Sequence, residues 1–134
     1  MAITVTKESI DLGLVTGDTE SMLGFYRDTL GLEVEGVVDM PGGATMTRVT
    51  CGTTVIKLVQ PPRVPEAANP PGGIFGGTGI RYFTISVDDI EGAVADCAAA
   101  GYAIQVPVRE SRPGVTIAIV EDPDGNWVEF LKRA

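Results

Sequence analysis

Histidine is absent from the 134 residues, cysteine occurs only twice, and aromatic side chains make up 6%. Without histidine the chain lacks the commonest transition-metal ligand and the one side chain that ordinarily titrates near neutral pH. Cys51 and Cys97 form no CxxC pair and no zinc-ligand cluster, so they read as buried thiols rather than as a disulfide framework. Basic residues are scarce: ten Lys and Arg face eighteen Asp and Glu, a formal charge of -8. That balance argues against following a nucleic-acid backbone, which draws its affinity from a basic surface. It suits a cationic ligand or, more simply, solubility. No stretch of eighteen consecutive apolar residues occurs, and the first eight residues lack a basic segment followed by a signal-type apolar core. The expectation is a soluble, cytoplasmic protein with no membrane partner. Gly72-Gly73 and Gly76-Gly77 are not followed by the lysine that a phosphate loop requires.

What is present is 44% hydrophobic residues, enough for one domain spanning 1–134 with a real core. Residues 10–16 alternate β-formers and read as a strand. Asp18 offers an N-cap to a helix over 19–30, whose apolar face is Met22, Phe25, Tyr26 and Leu30 and whose stop is Gly31. Residues 32–39, 44–49 and 53–60 supply three further strands. The second half repeats the order. Residues 80–87 read as a strand, and Asp88 with Glu91 has the spacing of a capping box. Ile90, Val94 and Ala98 form a helix face, Gly101 stops it, and strands follow at 102–106, 116–121 and 127–131. Asp18 and Asp88 lie 70 positions apart, as do Gly31 and Gly101, which marks an internal repeat in structural grammar. Module one covers about 8–60 and module two about 80–132. The Pro- and Gly-rich segment 61–79 reads as the connection, a plain linker before a ligand lid.

Phe25-Tyr26-Arg27-Asp28-Thr29-Leu30-Gly31-Leu32 and the hairpin Glu121-Asp122-Pro123-Asp124-Gly125-Asn126-Trp127-Val128-Glu129-Phe130 closely resemble the vicinal oxygen chelate superfamily. That superfamily includes glyoxalases, extradiol dioxygenases and bleomycin-binding proteins. The resemblance covers about residues 10–131 and implies an α+β fold, two βαβββ modules forming a cupped mixed sheet flanked by helices. It also implies a small-molecule ligand and a homodimer.

Catalytic members place histidine and glutamate ligands at four interior strand positions. Carried onto this chain, those positions hold Asp11 in the first strand, Lys57, Tyr82 and Glu129. Only Glu129 keeps the usual ligand type, and Lys57 would repel a divalent cation. The resemblance therefore implies no resident cofactor, leaving Asp11 and Glu129 to hold a hard divalent ion weakly, with waters. The same four side chains offer acid-base chemistry: Lys57 to stabilise an enolate, Asp11 or Glu129 as base, Tyr82 as hydrogen-bond donor or acid. Arg48 enters as a ligand-orienting residue if its register brings it onto the ligand-facing surface, and Trp127 as a stacking platform. Arg81, next to Tyr82, should point the opposite way.

The reading that follows is a metal-independent acid-base enzyme, isomerase- or lyase-like, acting on a small polar or aromatic metabolite. The alternative is a noncatalytic binding or antibiotic-sequestering protein resembling the bleomycin-binding branch. A structural polar core, with Lys57 neutralising a carboxylate, is the plainest reading of the same residues. Asp122 to Asn126 lacks the twelve-residue calcium-loop pattern and reads as a hairpin turn.

Overall fold

The computed structural model describes residues 2–134. The chain divides into two compact units, the first running to Pro65 and the second spanning Glu66–Ala134. Each is one βαβββ module, and the fold is α+β as expected.

In the first unit, β1 (Leu12–Val15) leads to α1 (Thr19–Leu23), which continues as a π-helical turn over Gly24–Thr29. Strands β2 (Glu33–Asp39), β3 (Thr45–Cys51) and β4 (Thr54–Gln60) follow, and the sheet order is β1-β4-β3-β2. β1 runs parallel to β4, while the other pairs are antiparallel. Asp18 caps α1 by accepting from the Ser21 amide, as its position before the apolar-periodic segment predicts. The helical segment presents Met22, Phe25 and Tyr26, all fully buried, on the side where Val49, Ile56 and Leu58 are buried. Phe25 and Tyr26 meet edge to face at 4.7 Å. Gly31 takes a φ of +77° just past the helical segment, the conformation a glycine stop supplies without steric cost.

The second unit comprises β5 (Tyr82–Ser86), α2 (Ile90–Ala99), β6 (Ile104–Arg112), β7 (Val115–Glu121) and β8 (Trp127–Arg133), ordered β5-β8-β7-β6. Its core is Ile90 and Cys97 from α2 with Ala118, Val120, Val128 and Phe130 from the sheet. Three sequence expectations change. The N-cap of α2 is Asp89, whose carboxylate accepts from the Gly92 amide, and Asp88 instead accepts from the Asp89 amide. Glu91 therefore does not complete a capping box. A β-carbon at residue 92 would come within 2.3 Å of the Asp89 carboxylate, so the glycine there makes room for the cap. β6 runs well beyond 106, to Arg112, because Val106 to Arg112 continue along β7 as an edge strand with three register shifts. Finally, part of the presumed linker is built into the second unit.

That built segment centres on Arg81. Its guanidinium donates to the Gly73 carbonyl at 2.7 Å, the Pro70 carbonyl at 2.6 Å and Asn69 Oδ1 at 3.0 Å. Asn69 in turn donates to the Asp124 carbonyl and to Asn126 Oδ1, tying the segment to the β7–β8 turn. The turn itself is organised by Asp122, which accepts from the Asp124 and Asn126 amides and the Asn126 side chain. No helix among the described residues is long and apolar enough to cross a membrane.

Candidate functional site

Side chains alternate across β4, so burying Ile56 and Leu58 under the helix turns Lys57 to the opposite face. Register fixes its neighbours: Lys57 lies opposite Gly13 in β1 and opposite Arg48 in β3. Arg48, flanked by the buried Thr47 and Val49, shares that face. The register thus brings Arg48 beside Lys57 on one face of the sheet. Side chains directly opposite in such a pair have β-carbons roughly 4.5–5.5 Å apart. On the other flank Gly13 contributes no side chain, and a β-carbon there would meet nothing within 4 Å. The row Gly13, Lys57, Arg48 is therefore two cations beside an opening. A glycine inside a strand pattern signals such an approach site, but Gly13 was not singled out from the sequence.

Asp11 lies one residue before β1 rather than within it. Its Oδ1 accepts from the Val55 amide at 2.8 Å and from Lys7 Nζ at 2.6 Å. Those two hydrogen bonds, with Lys7 the larger influence, hold the carboxyl below its ordinary pKa, and the charge of Lys57 adds to the effect. A carboxylate engaged by a backbone amide and a lysine is a weak base, so this residue serves as an anchor between the chain before β1 and the start of β4.

In the second unit, Tyr82 lies opposite Trp127 and Thr84 opposite Glu129. Alternation places all four on one face of the sheet, away from the buried Val128 and Phe130. Thr84 Oγ1 donates to Glu129 Oε1 at 2.7 Å and orients it. The sequence reading passed over Thr84, although its place two residues after Tyr82 carries the signal. Tyr82 is half-exposed and borders an open cleft of about 510 Å³ lined also by Ile74, Gly77, Gly79, Ile80 and Arg81. Trp127 is 8% exposed, and one face of its indole is covered by Gly73.

The residues at the four positions that the resemblance singles out do not fit a transition-metal ion. Two are carboxylates, one of them already engaged by Lys7 and Val55; the third is a phenol and the fourth a lysine. Among the described residues no three His, Cys, Asp or Glu side chains cluster so as to hold a metal ion.

The sequence profile of the Glyoxalase/Bleomycin resistance protein/Dioxygenase superfamily matches residues 9–130. The chain belongs to this superfamily. Solved structures share the fold at low identity. A glyoxalase family protein from Bacillus cereus superposes with a TM-score of 0.82 at 16% identity, over 99% of this chain and 98% of that one. The trypanothione-dependent glyoxalase I of Leishmania major gives 0.72 at 24% identity, over 95% and 87%. A variant of Zea mays glyoxalase I gives 0.78 at 22% identity, over 92% of this chain but only 44% of the longer maize chain. No curated protein matches the sequence significantly.

Proposed function

We propose that this protein handles a small polar or aromatic metabolite without a catalytic metal, in an isomerase- or lyase-like acid-base reaction in which Lys57 meets the negative charge that develops on the substrate. The observation that carries this reading is the placement of Lys57 on the exposed-side row between Gly13 and Arg48, where the superfamily's metal-dependent members are expected to carry a carboxylate ligand. A lysine there substitutes one fixed positive charge for the charge of an ion. An ammonium group aimed at a carbonyl oxygen stabilises the enolate formed when a proton leaves the adjacent carbon, which is the electrostatic part of such a reaction. Of the two carboxylates that the resemblance offers as proton acceptor, Glu129 is oriented by Thr84 within its own unit. Asp11 is less suited to that role because its carboxylate is already engaged.

The engagement of Asp11 also favours a second reading, binding without chemistry, because it removes one of the two candidate bases. Solvent-deuterium uptake separates the two. Small 2-oxo and 3-oxo acids are incubated in deuterium oxide with excess chelator and followed by proton NMR. The enzymatic reading predicts catalysed loss of the signal from the carbon next to the carbonyl, abolished in Lys57→Met. Saturable binding with no exchange supports sequestration, and exchange that depends on an added divalent metal overturns the proposal.

A further inference from the structure

We infer that the ligand carries an oxyanion, a carboxylate or a phosphate, gripped jointly by Arg48 and Lys57, and that Glu35 is the positioning residue that aims Arg48. The inference rests on the reading of Lys57 given above and extends it from one charge to a two-cation subsite with a defined ligand class.

Three observations converge on it. First, Arg48 and Lys57 are direct cross-strand neighbours with their side chains on one sheet face, although the chain as a whole carries a charge of -8. Two like charges held opposite each other repel, and an anion bridging them relieves that repulsion. Among the described residues the Lys57 side chain forms neither a hydrogen bond nor an ion pair; its charge acts through space on Asp11.

Second, β2 slips register between Val34 and Gly36, and the extra residue is Glu35. A bulge re-aims the side chain it carries. Here Glu35 Oε1 accepts from Arg48 Nε at 3.3 Å. That bond uses only Nε, so both terminal nitrogens stay available for the paired, parallel hydrogen bonds by which arginine recognises carboxylate or phosphate. Glu35 engages Arg48 alone, and the carboxylate that feels the charge of Lys57, Asp11, is already bonded to Lys7.

Third, the row continues into Gly13, where no atom stands within 4 Å of a would-be β-carbon. The body of the ligand has room beside Lys57.

Benzoate, phenyl phosphate and benzamide are matched probes for a test by NMR, which follows the Arg48 Nε–H and the Gly13 and Lys57 amides in the labelled wild-type protein. The expected result is saturable shifts of all three signals with benzoate or phenyl phosphate and none with benzamide, the stronger of the two anions distinguishing carboxylate from phosphate. Arg48→Met should weaken the preferred anion about fivefold. Arg48→Lys should recover part of that loss. Glu35→Gln should weaken binding in the wild-type background but not in Arg48→Met, since a positioning residue acts through the group it positions. Shifts at Lys57 alone, with Arg48→Met binding normally, would overturn the two-cation subsite and leave the Lys57 reading intact. No response at Lys57 to any of the three probes would overturn both.

Discussion

Gly73 packs its α-carbon onto the indole face of Trp127, closely enough that a β-carbon there would lie 2.0 Å from the ring. Its φ of +53° is also one that other residues reach only with strain. Gly73→Ala should therefore destabilise the second unit by about 1–3 kcal/mol through overpacking. Trp127 is the chain's one tryptophan, so its fluorescence during denaturant unfolding reads this contact directly.

Arg81 closes the same segment through three hydrogen bonds to residues 69–73. Arg81→Met should leave the sheet intact while exposing that segment. The expected outcome is faster amide exchange and earlier proteolytic nicking between residues 66 and 79, with β7 and β8 still protected.

The α2 cap distinguishes two adjacent aspartates. Asp89→Ala should cost about 0.5–2 kcal/mol, the usual value of an N-cap, and Asp88→Ala distinctly less. Thermal unfolding of the two variants side by side measures the difference.

How legible these features were depends on how local their causes are. Gly31 and Gly101 could be read as helix stops because each needs only its own positive φ. The cap of α2 was misplaced by one residue because Asp88 and Asp89 have the same chemistry, and backbone geometry alone decides between them. Lys57 was legible only through the family resemblance; alternation explains its face, since one residue on either side is apolar and buried. The partnership of Arg48 with Lys57 was not, because it depends on strand register, and neither was the role of Glu35, which depends on a bulge. Asn69 reaching Asn126 and Gly73 reaching Trp127 join residues more than fifty positions apart, so a Pro- and Gly-rich composition could only suggest a linker.

Acid stability should carry the signature of Asp11 and Asp18. Hydrogen bonds, from Lys7 and Val55 to one and chiefly from the Ser21 amide to the other, lower both carboxyl pKa values in the folded chain. The folded state then binds protons less readily than the unfolded one. Their contribution is present above the ordinary carboxyl value of 3.8 and is lost as pH falls through the lower folded values. Asp11→Asn, which keeps an acceptor for the Val55 amide, should flatten the stability profile below about pH 4 and leave its shape near neutrality unchanged.

Burial pushes the Cys97 thiol up to about 11, with Asp96 adding to the effect. Cys97 should resist a thiol reagent at pH 8 until the protein unfolds, the thiolate being the reactive form. Counting modified thiols by mass spectrometry with and without denaturant checks this.

The central claim is that Lys57 makes its row of the sheet a receptor for negative charge rather than for a metal ion. Calorimetric titration of the wild-type protein and Lys57→Glu with benzoate and, separately, with manganese tests it most directly. The account predicts that the wild type binds benzoate and not manganese, and that Lys57→Glu weakens benzoate at least about tenfold, the effect of losing one charged hydrogen bond and gaining a like charge. Tight manganese binding by the wild type, together with benzoate binding indifferent to the substitution, would contradict it.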